Sequence, residues 1–439
     1  MPVAGDQQLL KQLNRMALVR QVGTQPGLSR AALAERLGLT KSTVSLLVRE
    51  LLAEGWLCET ALLSTGEVGR RATPLHLDPW RLALLGAELG VDEARVVATT
   101  LLGERIETHI VSYEDAADAA SCIRLVAVAL VRLARRLARP EGGAGRAAPA
   151  RRVLGVGLGM HGAVDETMGL LRHAPHLGWR NIDVAALVRT QFAGSPLAGV
   201  PLAMQNEANV AALGEFEFSG LSSINPLVYL SIGYGVGAGV IVGDRLLTGL
   251  HGFAGEVGHA ILQADGPLCR CGRRGCADAL IGLGALLGDE PPGHAALERL
   301  FARCRAAEPS PGAAASDTPC ARTCAAVETA GRQLGVLLNN LWAGFDPMAI
   351  VIGGPALGLG ERLIAPARVV LTAYAEAAQL APPAIRSSVF GADAVAVGAA
   401  ALVRHRITRP LDRLDMERRA QLAPAQPGKA PFYRVAPGP

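Results

Sequence analysis

Three cysteines fall close together at Cys269, Cys271 and Cys276, and Glu256-Val257-Gly258-His259 precedes them by ten residues. Three thiolates and an imidazole form a closed Cys3His set, the tetrahedral donor group of a structural zinc site. Gly272 and Gly275 allow a short loop to fold back, so that Cys276 reaches the same ion as Cys269. Arg270, Arg273 and Arg274 favour the thiolate form of the three. No open coordination position is left, so hydrolysis at zinc is not expected. The five remaining cysteines (Cys58, Cys122, Cys304, Cys320 and Cys324) are scattered, and the last three read as plain small residues. In a long chain such clustering argues for a metal rather than a disulfide framework.

A second chemistry sits near the N-terminus, in Ser29–Gly55 (SRAALAERLGLTKSTVSLLVRELLAEG). Ser29 can cap a helix, Gly38 can end it, and Thr40 can cap the next. In the second helix Val44, Leu47, Val48, Leu51 and Leu52 recur on one face. Two short helices joined by a tight turn form a helix-turn-helix, whose second helix enters the DNA major groove. Its outer face offers Lys41, Ser42, Thr43, Ser45 and Arg49 to phosphates and base edges. Leu46 is an apolar residue on that same side. Trp56–Leu77 then reads as two short strands around a tip carrying Arg70 and Arg71, a wing.

These sites need a scaffold, and the chain is long enough to provide one. It has 439 residues, of which 50% are hydrophobic and 19% charged, which excludes global disorder. No apolar run is long enough for a membrane span. The N-terminus lacks the pattern of a secretory leader, so the expected compartment is the cytoplasm. Net charge is only +4. Residues 1–80 hold nine Lys/Arg against seven Asp/Glu, so DNA binding there rests on pattern rather than bulk charge. From Leu82 onward, strand-like runs (LALLGAELG, RVVATTLL, RVLGVGLGM, LVYLSIGYGVGAGVIVG, AIVIGG) alternate with helices, the texture of a layered α/β fold. Segments 140–150 and 308–319 read as inserts, and the basic, proline-rich end as a solvated tail.

With these residues in place, the sequence resembles the ROK family of repressors and sugar kinases over nearly its whole length. Glu256–His259 matches the family's Glu-x-Gly-His motif. Cys269–Asp278 matches its Cys-x-Cys-Gly-x-x-Gly-Cys-x-Glu motif, with Asp in place of the final Glu. GLGMHGAVD at 157–165, QNEANVAALGE at 205–215, GYGVGAGV at 233–240 and IVIGG at 350–354 also match; His161 stands where many relatives have Pro. The resemblance implies an N-terminal winged helix-turn-helix over 1–80 and a two-lobed actin-like (ribonuclease H-like) α/β domain over 81–405. The zinc loop would span 259–276 and a disordered basic tail 406–439. It further implies that a monosaccharide or sugar phosphate binds between the lobes. The matching sugar contacts are Asn206, Glu207, Glu256, His259 and Asp278, and His259 would also join Cys269, Cys271 and Cys276 on Zn2+.

The family includes kinases, so the phosphate-handling positions matter. Kinases of the group carry an Asp-x-Gly-Gly-Thr-Lys-like loop where this chain reads Glu88-Leu89-Gly90-Val91-Asp92-Glu93. Acidic side chains there repel phosphate oxygens. Tyr234 replaces a phosphate-facing Thr, and the base position has become Glu207, a vestige with no assigned catalytic role. The expectation is therefore a repressor of carbohydrate genes, dimeric or tetrameric, released from a double-stranded operator by a sugar. A sugar kinase with an appended DNA-binding domain is the first alternative. A zinc-loaded scaffold without sugar affinity is the second.

Overall fold

The computed structural model describes residues 7–60, 73–140, 149–249, 252–288, 290, 293–306 and 319–411. The chain opens with α1 (Gln7–Thr24), α2 (Arg30–Leu37) and α3 (Lys41–Ala53). The anticipated caps are made. Ser29 Oγ accepts from Ala32 N at 3.2 Å, and Thr40 Oγ1 from Thr43 N at 3.2 Å. Gly38 closes α2 with φ of 64°, in the left-handed region. Glu50 on α3 accepts from Lys11 at 2.7 Å and Arg15 at 3.1 Å, tying α1 to α3. Strands β1 (Leu57–Glu59) and β2 (Leu75–Leu77) pair antiparallel, with Leu57 opposite Leu77. They are the expected strands of the wing; its tip, with Arg70 and Arg71, lies outside the described residues, as does most of the two inserts.

Two sheets follow. The first is a meander of β3 (Leu82–Leu89), β4 (Glu93–Thr99) and β5 (Arg105–Ser112), after which α4 (Ala119–Leu137) leads to β6 (Arg152–Met160). A small sheet of β7 (Ala163–Asp165), β8 (Leu170–Ala174) and β9 (Trp179–Asp183) precedes α5 (Val184–Phe192) and β10 (Leu202–Asn206). Helix α6 (Glu207–Phe218) crosses to the second lobe. There β11 (Leu227–Ile232), β12 (Val236–Val242) and β13 (Arg245–Leu246) form another meander. The strand-like run over 227–243 is thus a hairpin turning at Gly233–Gly235. Helices α7 (Ala277–Ile281), α8 (Leu283–Leu287), α9 (His294–Ala306) and α10 (Pro319–Phe345) lead to β14 (Ala349–Gly353), α11 (Glu361–Ala378), β15 (Ala384–Ser387) and α12 (Ala394–Thr408).

The strand orders are β10-β6-β3-β4-β5 and β15-β14-β11-β12-β13. Each is an antiparallel meander flanked by two parallel strands, so one topology occurs twice. The central strands are buried along most of their length because helices cover both faces. The helix ending each half is exchanged. α6 packs on β11 and β12 of the second sheet, α12 packs on β3, β4 and β6 of the first, and the two helices pack on each other. The approach is close: a Cβ at Gly157 of β6 would stand 1.8 Å from the Ala399 carbonyl oxygen of α12. Only small residues permit it, and α12 answers with buried Ala396, Ala399, Ala400 and Ala401.

The helices of the expected DNA reader, α1 to α3, share a core with the first lobe. Met16, Leu18, Val19, Leu33, Val44, Leu47, Val48 and Leu51 form one cluster with Leu82, Leu84, Leu154, Ala400 and Val403. The boundary expected near residue 80 is therefore a change of element type rather than a gap in packing. The tail expected from 406 needs correcting. Helix α12 runs on to Thr408, and Arg409 is buried. The cause is an ion cluster around Glu217 of α6, which accepts from Arg409 Nη1 at 2.7 Å and lies 2.8 Å from His405 Nδ1. Burial alone would raise the Glu217 carboxyl, but His405, Arg404 and Arg409 hold it well below the usual range. Residues 412–439 lie outside the described part.

Candidate functional site

Between the lobes lies a cleft of about 470 Å3. All five residues expected to contact a sugar line it: Asn206, Glu207, Glu256, His259 and Asp278. They arrive from different elements. Asn206 ends β10 and caps α6, its Oδ1 accepting from Ala208 N at 2.9 Å. Its Nδ2 donates to Gly162 O at 3.1 Å. Glu207 is the first residue of α6, where the helix dipole favours a carboxylate. Asp278 sits in the first turn of α7, and its Oδ1 accepts from Val236 N at 2.6 Å. The strands thus supply position and the helix N-termini supply charge.

The wall is acidic, and its groups perturb one another. Burial, followed by the nearby Glu207 and Asp278 carboxylates, raises Glu256 to about 7. Burial raises Asp278 to about 6. Glu88, at the end of β3, is raised by burial to about 7. His161 stands between two carboxylates, 3.5 Å from Glu207 and 3.9 Å from Glu88. Burial alone would depress it, but those carboxylates lift it to about 9, so it is an imidazolium at neutral pH.

Four further residues that frame the cleft make contacts motif reading did not anticipate. Asp92 Oδ2 accepts from His294 N at 2.8 Å, and Tyr234 Oη accepts from Gly293 N at 2.6 Å. Both contacts fall at the start of α9, and the first ties the β3–β4 turn to the second lobe. Arg270 of the cysteine loop lies 3.2 Å from His176 Nδ1 on the first lobe. Burial, then the positive charges of His161 and Arg270, holds His176 down at about 4, hence neutral and able to accept. Asp92 and Tyr234 were singled out in sequence at the phosphate-handling positions, and nothing in the sequence gives their common partner. His176 and Arg270 carried no spacing signal toward each other.

His259, Cys269, Cys271 and Cys276 converge with all ligand atoms within 4.8 Å of one another. Cys271 Sγ and Cys276 Sγ are 3.6 Å apart, and Cys269 Sγ and His259 Nδ1 are 3.8 Å apart. A tetrahedron with metal–sulfur bonds of about 2.3 Å has an edge of ~3.8 Å, so these donors fit a four-coordinate ion. A Cβ at Gly275 would stand 1.5 Å from Gln263 O, so the turn that returns Cys276 to the site requires glycine. The four residues can hold a metal ion, and His259 belongs both to this cluster and to the cleft wall.

On the reader, Lys41, Ser42, Leu46 and Arg49 are exposed along one side of α3. Thr43 and Ser45 are half-buried. Ser45 Oγ donates to its own helix at Lys41 O, at 2.8 Å, and Thr43 Oγ1 lies 2.8 Å from Thr40 Oγ1. Among the described residues no helix is long and apolar enough to cross a membrane.

Known proteins share both parts. Residues 145–406 match the ROK family, and residues 14–57 match the family described as winged helix-turn-helix DNA-binding. The xylose repressor of Caldicellulosiruptor bescii is 28% identical over 405 residues, covering 91% of this chain and 97% of that protein. A glucokinase of Halalkalibacterium halodurans is 27% identical over 258 residues, covering 57% of this chain and 76% of the enzyme. The crystal structure of a ROK family transcriptional regulator, described as a homolog of the E. coli MLC protein, superposes with a TM-score of 0.68. It has 21% identity and covers 93% of this chain and 99% of its own, which establishes the shared fold. The chain described here belongs to the ROK family, as a member with an N-terminal winged helix-turn-helix.

Proposed function

We propose that this protein is a sugar-responsive transcriptional repressor that leaves its operator when an uncharged sugar enters the cleft. One observation carries the reading. The same chain joins a capped helix-turn-helix, with Lys41, Ser42, Leu46 and Arg49 exposed, to a cleft whose wall carries carboxylates, Asn206 and His259, and the helix-turn-helix shares a core with the first lobe. Lys41 and Arg49, with Arg70 and Arg71 of the wing, serve phosphates. Ser42, Thr43 and Ser45 reach base edges, and Leu46 offers an apolar surface to a thymine methyl. Two copies on a two-fold operator make the working unit a homodimer or a pair of dimers.

Asn206, Glu207, Glu256, His259 and Asp278 bind the sugar hydroxyls. Such hydrogen bonds discriminate well, because a missing hydroxyl leaves a buried polar group unpaired. Six carboxylates line the cleft, from Glu88, Asp92, Glu93, Glu207, Glu256 and Asp278. Those carboxylates outnumber the cations Arg95, His161 and Arg270 of the same lining, which disfavours a phosphorylated effector. The name of the C. bescii relative makes D-xylose the first sugar to test. Zn2+ held by His259, Cys269, Cys271 and Cys276 would fold the loop that presents His259 and Arg270.

Sugar phosphorylation is not part of this function. Asp92 and Tyr234 stand where kinases of the family serve phosphates, and both are engaged at the start of α9. Glu207 occupies the base position, with its carboxylate beside His161.

The test is fluorescence anisotropy of the full chain on DNA from upstream of its own gene. It is run at fixed salt with D-xylose, other free monosaccharides and their phosphates. Specific binding weakened by one free sugar is the expected result. Specific binding that no sugar alters overturns the sensor reading, and sugar-dependent ADP release from ATP overturns the non-enzymatic one.

A further inference from the structure

Behind Asn206 lies a run of polar side chains that extends away from the sugar site. Gln205 Oε1 accepts from Asn206 N at 2.9 Å and from Asn209 Nδ2 at 3.2 Å. Gln205 Nε2 donates to Glu166 Oε2 at 3.3 Å. Arg406 of α12 grips Glu166 with two bonds: Nε to Oε1 at 3.1 Å and Nη2 to Oε2 at 2.6 Å. Two residues on, the Thr408 carbonyl accepts from the Arg20 guanidinium of α1. Arg404 of α12 also reaches α1: a Cβ on Gly23 would stand 2.7 Å from its Nη2. The hydrogen bonds thus pass from β10 and α6, through the loop after β7, to the end of α12 and onto the first reader helix.

Two features set this run apart from ordinary core satisfaction. A half-buried ion pair adds little net stability over apolar residues of the same shape, whereas a bidentate pair does fix one register between the elements it joins. The run is also incomplete at the cleft end. Asn209 lines the cleft at 3% exposure, and its Oδ1 has no hydrogen-bond partner among the described residues. A buried acceptor of this kind gains from a donor, and a sugar hydroxyl is one.

We propose that Gln205, Glu166 and Arg406 are positioning residues that carry occupancy of the cleft, sensed by Asn206 and Asn209, through α12 to the reader. The inference rests on the repressor reading above. It goes beyond that reading by naming the contacts through which sugar and DNA oppose each other. Glu166 and Arg406 touch neither ligand, so breaking their pair removes the coupling while sparing both sites.

The experiment uses full-length protein with the wild-type operator fragment. The sugar is D-xylose, or, if D-xylose leaves the wild type on DNA, whichever sugar of the panel releases it. Operator affinity is measured with and without saturating sugar, and sugar affinity by calorimetry. Allosteric couplings typically amount to about 5–150-fold. In Arg406→Met and Glu166→Gln the ratio of operator affinities should fall several-fold toward unity. Operator affinity without sugar, and sugar affinity without DNA, should each stay within about twofold of wild type. Arg406→Lys keeps the charge but not the fork, and should fall between. If Arg406→Met shows no cooperative melt, Glu166→Gln and Arg406→Lys carry the test. Variants that respond as the wild type does overturn the relay alone. A wild type that no sugar releases overturns the repressor reading and the relay with it.

Discussion

Glu256 is the residue at which binding chemistry and electrostatics meet. It is buried among like charges and raised to about 7, so a hydroxyl that donates to it relieves a crowded carboxylate. Glu256→Gln keeps the shape and removes that acceptor charge. Calorimetry should show sugar affinity weakened by roughly 1.5–3 kcal/mol, with operator binding unchanged. Loss of both would mean that Glu256 supports the fold instead. His161 makes a pH prediction. Its folded value of about 9 lies above its ordinary 6.5, so the folded state holds the proton more tightly. The stability this contributes is complete below pH 6.5 and is lost as pH rises through about 9. Thermal melts of the wild type should therefore drop across that window more steeply than those of His161→Gln. Equal slopes would remove the imidazolium from the balance. The donor types of the site were legible because they lie in short motifs. The surroundings of His161 were not, since Glu88 and Glu207 approach it from distant parts of the chain.

At the scale of elements, local rules were well obeyed. Ser29, Gly38 and Thr40 punctuate the reader as their chemistry requires, and Thr40→Ala should cost about 1 kcal/mol in a denaturant melt. A smaller loss would mean that tertiary packing alone holds the start of α3. The cysteine loop was equally readable, because its ligands lie within a few residues and its glycines allow the turn. Strong chelation should release ~1 equivalent of zinc per chain, lower the melting temperature and weaken the sugar response. A response that survives metal removal would confine the ion to stability. The end of α12 was read wrongly as tail. Its basic residues suggest solvent when taken alone, but Glu166, Glu217 and Asp244, far back in the chain, meet them.

For the whole molecule, the lobed fold could be inferred from motifs, but its repeat of one strand order could not. Neither could the exchange of α6 and α12, since both depend on which sheet a helix chooses to cover. Whatever route joins the two sites, linkage makes a thermodynamic demand. If sugar weakens operator binding by some factor, operator DNA must weaken sugar binding by the same factor. Calorimetric sugar titrations with and without the operator fragment should return equal ratios. Unequal ratios would point to a third species, such as a change in oligomeric state.

The position of α12 also has a mechanical meaning. It has 15 residues, and at about 1.5 Å per residue it is a rod ~22 Å long. One end starts beside the cleft, at Asp393 and Ala394, and the other presses on α1. A swing of about 5° at the near end displaces the far end by ~2 Å, the size of shift that switches packed interfaces. On the proposed relay the rod is a lever, with its short stroke at the cleft and its long stroke at the first reader helix. If two copies bind a two-fold operator as proposed, a shift of ~2 Å in each, mirrored across the two-fold, alters the separation of the recognition helices by up to ~4 Å against a half-site repeat of about 34 Å.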